Sequence, residues 1–162
     1  MPYAGRLTDV LAEHLPWHRA RLKFIARFTT ALLQLTTTNL AKLALALKAT
    51  VKPASNYRRI QRFMANFPFD YEVFGRFLLG LLPQRSGYVV CIDRTEWHFG
   101  SQPVNVLLIG VTYRGIAFPV VWETVGREGS SSGEDGMALF RRFLRMARAE
   151  NMRAVVADRD VV

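Results

Sequence analysis

Apolar residues in the first half of the chain recur with the spacing of amphipathic helices. They do so every three or four positions over residues 19–35, and again over residues 40–47 after a polar break. This spacing predicts two helices, each with one apolar side. A third helix is predicted to begin at Ser55, a favourable N-cap, and Asp70 is expected to cap a fourth, which Pro83 ends.

The third predicted helix separates apolar from cationic side chains. Its apolar positions fall on one side and are Tyr57, Ile60, Phe63, Met64 and Phe67. Arg58, Arg59 and Arg62 fall on the other side. Because an amphipathic helix buries its apolar side, we expect these three guanidinium groups to face solvent.

At Gly87 the period changes from helical to extended. Three β-rich runs, at residues 88–93, 104–113 and 116–124, precede a helical segment and a last apolar run at residues 153–158. The two-residue link Arg114-Gly115 between the second and third runs indicates a hairpin. In the helical segment we expect four side chains to point inward, namely Phe140, Phe143, Leu144 and Ala147.

These elements predict an α+β fold with two regions. The first, over residues 1–86, is helical and resembles a helix-turn-helix region. The second, over residues 87–162, has the order β-β-β-α-β. With half of its 162 residues apolar, the chain is long enough to bury one sizeable core or two small ones. No apolar run reaches the length of a membrane span, and the lone Cys91 cannot form an internal disulfide, so we expect a soluble cytoplasmic protein with no membrane partner.

The excess positive charge is confined to the first region. Residues 1–86 contain 13 lysines and arginines against 4 acidic residues, a net charge of +9, whereas residues 87–162 contain 9 of each. A concentrated basic charge attracts polyanions, because neutralising phosphates releases condensed counterions. Double-stranded DNA is therefore the expected partner, with association to the nucleoid. The alternative is a generally basic domain without a nucleic-acid role.

Two aspartates end predicted strands and could carry chemistry. Asp93 and Asp158 each follow at least four apolar residues. If the first and fourth strands are neighbours, both carboxylates lie at one edge of the sheet, where they could bind Mg²⁺ or Mn²⁺ and support cleavage of a phosphodiester. The alternative is that each acid pairs with its neighbouring arginine, Arg94 or Arg159. Glu96 could also reach such a metal site.

Residues 92–100, Ile-Asp-Arg-Thr-Glu-Trp-His-Phe-Gly, resemble the first catalytic motif of bacterial insertion-sequence transposases of the IS-four group. That group has a DDE nuclease domain of ribonuclease H-like fold. Further segments resemble the group's recurrent segments in the same order, at residues 15–17, 39–41, 55–63 and 157–160. The resemblance therefore covers nearly the whole chain.

The resemblance implies catalytic, metal-binding roles for Asp93 and Asp158, with magnesium as cofactor, and cleavage and strand transfer at transposon ends. The family's third acid, a glutamate in a Tyr-x-x-x-Arg-x-x-x-Lys setting, has no counterpart before Val162, and Asp160-Val161 departs from the usual Glu-Phe. We therefore expect an incomplete, inactive transposase: a fragment, a frameshifted copy or part of a split frame. A homodimer is among the expected assemblies. The alternatives are a DNA-binding helix-turn-helix regulator without catalysis and a related metal-dependent nuclease.

Overall fold

A computed structural model describes residues 2–47, 50–99, 101–125 and 133–157 of the chain. Within these residues the fold is α+β, as predicted, with six α-helices, one 3₁₀ helix and a four-stranded mixed sheet. The elements in chain order are α1 Pro2–His14, α2 Arg19–Leu35, α3 Leu40–Leu47, α4 Pro53–Asn66, α5 Tyr71–Leu81, β1 Tyr88–Phe99, β2 Gln102–Tyr113, β3 Ile116–Val125, α6 Gly133–Leu144, the 3₁₀ helix Ala149–Asn151 and β4 Met152–Ala157. They form two compact units, Met1–Phe69 and Asp70–Val162.

The first unit contains α1 to α4. The predicted helices at residues 19–35 and 40–47 are confirmed as α2 and α3. The core that α2, α3 and α4 share consists of Phe24, Ala31, Leu43, Ala44, Leu47 and Ile60. A polar contact adds to it, since the buried side-chain amide of Asn56 donates a hydrogen bond to the Ala44 carbonyl at 3.0 Å and links α4 to α3.

The start of α4 differs from the sequence prediction. The helix begins at Pro53, and Lys52 is its N-cap, so the prediction of Ser55 as the cap is wrong. Proline favours the first helical position, because its fixed φ suits the helix and its missing N–H needs no partner there. The prediction that Met64 packs inward is also wrong, since this residue is 53% exposed.

The second unit begins with α5, two residues after the first unit ends. As predicted, Asp70 caps this helix, and its carboxylate accepts hydrogen bonds from the backbone N–H groups of Glu72 and Val73, both at 3.0 Å. The sequence grouped α5 with the preceding helices in residues 1–86. In the structure Leu79 and Leu82 belong to the core of the sheet, and α5 is therefore part of the second unit.

The sheet has the strand order β3-β2-β1-β4. β1 pairs antiparallel with β2 and parallel with β4, and β2 pairs antiparallel with β3. The predicted hairpin at Arg114 and Gly115 is confirmed, with φ values of 51° and 79° that match a tight two-residue turn. β1 is longer than the predicted run at residues 88–93, because its pairing with β2 continues to Phe99 opposite Gln102.

The core of the second unit lies on one face of this sheet. Its fully buried side chains include Val90, Ile109, Val121, Leu139 and Phe143. α6 supplies Leu139 and Phe143, and Phe140 and Ala147 also pack there as predicted. Leu144 was predicted to point inward but is 37% exposed.

An ion pair links α5 to the segment that follows α6. The Arg145 guanidinium donates two hydrogen bonds to Oε1 of Glu72, from Nε at 2.9 Å and from Nη2 at 2.6 Å. These hydrogen bonds lower the pKa of the Glu72 carboxyl. Beside this pair, Gly75 lies against the Met146 side chain, so α5 and the α6 segment approach closely.

Candidate nucleic-acid interface and carboxylate site

The first unit carries all the excess charge. Residues 1–69 contain 11 lysines and arginines against 2 acidic residues, and residues 70–162 contain 11 of each. The arginine and lysine side chains of the first unit therefore face few carboxylates within their own unit. Such a surface attracts polyanions over a distance of about one Debye length, roughly 10 Å at 0.1 M salt.

The arginines of α4 are exposed, as the sequence predicts. Ile60 is fully buried on the opposite side of the helix, which leaves Arg58, Arg59 and Arg62 in solvent. Among the described residues, none of the three lies within 4.0 Å of a carboxylate oxygen. Their charges are thus available to an external anion, and a guanidinium can bind a phosphate through two parallel N–H groups.

These three arginines lie within an arc of about 100° around α4 but line two different grooves. Arg59 and Arg62 line a groove between α2 and α4 with a volume of about 350 Å³. Arg58 lines a second groove, of about 440 Å³, on the α3 side of the helix. Arg58 and Arg59 diverge because consecutive helical residues are turned by about 100° from each other, whereas Arg62 lies one helical turn beyond Arg58.

The groove between α2 and α4 also contains an arginine that the sequence did not single out. Arg21 of α2 lines it, and its Cζ lies 5.1 Å from the centroid of the Phe67 ring. In the same groove, Cζ of Arg59 lies 5.2 Å from the Phe24 ring centroid. No local sequence pattern could have joined Arg21 to α4, because 38 positions separate it from Arg59.

Asp93 lies on β1, the strand between β2 and β4, and its side chain is exposed. In the parallel pairing of β1 with β4, Ile92 is opposite Ala157. Asp93 and Asp158 directly follow these two residues in the chain, although Asp158 lies outside the described residues, as do Arg159 and Asp160.

Glu96 does not share a face of the sheet with Asp93. Side chains alternate along a strand, so residues three apart point to opposite faces and are separated by about 10 Å. Glu96 instead lies near His98, whose Nε2 is 3.5 Å from its Oε1. The idea that Glu96 reaches a metal bound at Asp93 therefore finds no support in the strand geometry.

Three observations complete the description of the site. No group of three or more metal-ligating histidine, cysteine, aspartate or glutamate side chains occurs among the described residues. Over the same residues, no helix has the length and apolar character that crossing a membrane would require.

The chain matches no protein-family model, no curated protein and no solved structure.

Proposed function

We propose that the chain acts in DNA transposition, in which the first unit binds double-stranded DNA at transposon ends and Asp93 and Asp158 of the second unit hold the metal of a catalytic site. The observation that carries this proposal is the parallel pairing of β1 with β4. It aligns Ile92 with Ala157, the residues directly before Asp93 and Asp158. If this parallel pairing extends one residue further, the carboxylate of Asp93, in the middle of β1, and that of Asp158, which follows β4 in the sequence, lie on neighbouring strands and are suited to sharing a cation.

The topology of the second unit supports the same proposal. The chain runs through β1, β2, β3, α6 and β4, which is the β-β-β-α-β order predicted for a ribonuclease H-like region. The strand that bears Asp93 lies inside the sheet, between β2 and β4. Because β1 is hydrogen-bonded to a strand on each side, its backbone is held in place. The point from which the Asp93 side chain extends is therefore fixed.

The donor chemistry fits a hard divalent cation. Carboxylate oxygens are ligands that Mg²⁺ and Mn²⁺ accept, and the exposed side chain of Asp93 leaves room for a cation with its remaining waters. A bound metal would activate a water or hydroxyl and stabilise the departing oxygen of a phosphodiester. We assign Asp93 and Asp158 to holding it, while Glu96 lies on the other face of β1.

DNA binding is assigned to the first unit because of its charge. The exposed arginines of α4 lack carboxylate partners among the described residues, and the unit has a surplus of nine positive charges. This observation alone also favours a second candidate function, a DNA-binding protein without catalysis. The two candidates differ in whether Asp93 and Asp158 hold a metal.

Metal binding by the full chain separates them. Mn²⁺ would be titrated into the wild type, the Asp93→Asn variant and a matched Glu96→Gln variant, with water-proton relaxation as the readout. We expect weak binding that Asp93→Asn removes and Glu96→Gln retains, because both variants remove one carboxylate from β1 but from opposite faces. Equal binding by wild type and Asp93→Asn would contradict the metal site and leave the DNA-binding protein as the better candidate.

A further inference from the structure

The groove between α2 and α4 combines cationic and aromatic side chains. Its volume of about 350 Å³ lies within the range of about 300–1,000 Å³ typical of sites for small organic ligands. The lining residues that matter are Arg21, Arg59, Arg62, Phe24, Phe63 and Phe67. A ligand that suits this lining has a negative charge and a flat apolar part.

Two of the guanidinium groups are positioned by aromatic rings. Arg21 lies over Phe67, and Arg59 lies over Phe24, each with Cζ between 5 and 5.5 Å from the ring centroid. A guanidinium stacked on a ring keeps its N–H edges free to donate. Arg21, like Arg59, has no carboxylate within ion-pair distance in the described ranges. The guanidinium groups of Arg21 and Arg59 are therefore held in place with N–H groups that can donate to a phosphate.

The phenylalanines form one contiguous aromatic cluster. The ring centroid of Phe63 lies 4.5 Å from that of Phe24 and 4.7 Å from that of Phe67. Trp17 meets Phe67 edge-on at 5.0 Å and extends the cluster. Rings that already pack against each other lose little conformational entropy when a ligand binds. A planar base can stack on such rings or on the plane of a guanidinium group.

We propose that this groove binds one unstacked nucleotide of a DNA strand. Arg21 and Arg59 hold its phosphate, and the base contacts the partly exposed rings of Phe63 and Phe67. The inference rests on the proposed DNA-binding function and deepens it, because bases stacked inside a regular duplex cannot reach the rings. The groove thus favours a single-stranded or distorted segment, whereas charge alone attracts any DNA.

The test compares strands that have equal charge but differ in bases. Fluorescence anisotropy would measure binding of the full chain to a short oligothymidylate, to an abasic strand of the same length, and to a duplex. Stacking of one base changes affinity by about fivefold or more. We therefore expect the oligothymidylate to bind at least about fivefold more tightly than the abasic strand. Equal affinity for the two strands would overturn the inference.

Two single variants locate the site. Arg21→Ala removes a groove arginine, and Arg141→Ala removes the same charge from an exposed position of α6 in the second unit. We expect Arg21→Ala to weaken binding of the oligothymidylate and of the abasic strand alike, because both strands offer the phosphate that Arg21 holds, and we expect Arg141→Ala to leave both affinities nearly unchanged. The same effect from both variants would also overturn the inference. Duplex binding without any preference for bases leaves the proposed function intact, whereas failure to bind duplex at low salt refutes DNA binding itself.

Discussion

The DNA-binding surface of α4 can be tested by removing its three arginines together. In the variant Arg58→Ala/Arg59→Ala/Arg62→Ala, three exposed cations are lost from the first unit. If each contacts one phosphate, the slope of log affinity against log salt becomes shallower by about 2.7, since each contact contributes about 0.9. Between about 50 and 200 mM salt, the wild type should then lose about 40-fold more affinity for duplex DNA than the variant loses.

The same substitutions should affect folding little. Arg58 and Arg62 form no ion pair among the described residues, and the stacking of Arg59 on Phe24 contributes only about 0.5–1 kcal/mol at an exposed site. For a unit of this size, that loss corresponds to a fall in Tm of roughly 4–8 °C at most. Salt-dependent anisotropy with duplex DNA and thermal unfolding by circular dichroism measure the two effects separately.

A matched variant shows whether position or net charge matters. Arg141→Ala/Arg148→Ala/Arg153→Ala removes three exposed arginines from the second unit, where Arg148 has only an exposed ion pair with Glu150. We expect this control to leave the salt slope nearly unchanged. An equal reduction of the slope by both variants would refute the assignment to α4. Unfolding of the α4 variant at ambient temperature would show that its arginines are structural.

Two further predictions concern the second unit. Gly110→Ala should destabilise the second unit by about 1–3 kcal/mol in denaturant unfolding, because an added Cβ would lie 2.9 Å from the Phe118 carbonyl oxygen. Gly80→Ala is the matched control: this glycine lies in an open helical position, and its replacement should stabilise the unit by up to about 1 kcal/mol. The ion pair of Glu72 with Arg145 lowers the pKa of the carboxyl, so its stabilisation is present above the ordinary carboxyl pKa and is lost as the pH falls through the folded-state value. Glu72→Gln should therefore flatten the dependence of unfolding free energy on pH in the acid range, and an unchanged profile would contradict this role.

Much of the secondary structure could be predicted because its signals are local. The apolar period defines α2 and α3, the Asp70 side chain caps α5, and the Arg114-Gly115 pair makes the hairpin between β2 and β3. Each of these features depends on residues within a few positions of one another. α1 was not predicted, because its buried positions include the small Ala4 and the polar Thr8, whose hydroxyl donates to the Ala4 carbonyl at 2.6 Å. These residues weaken the apolar period on which the prediction depends.

The arrangement of the candidate sites depended on contacts between distant segments. The sequence identified Arg58, Arg59 and Arg62 as outward-facing, but only packing of α2 and α3 on either side of α4 placed them in two grooves and added Arg21 to one of them. The sequence also predicted that Asp93 ends a strand, which is wrong, because β1 continues from Tyr88 to Phe99 through its pairing with β2. The parallel register of β1 with β4 was a condition that no local pattern could supply. The sequence by itself determined which residues are apolar, charged and helical, because those properties repeat at short range. Tertiary structure decided which of them meet, because the free energy gained by burying side chains from separate elements depends on contacts far apart in the chain.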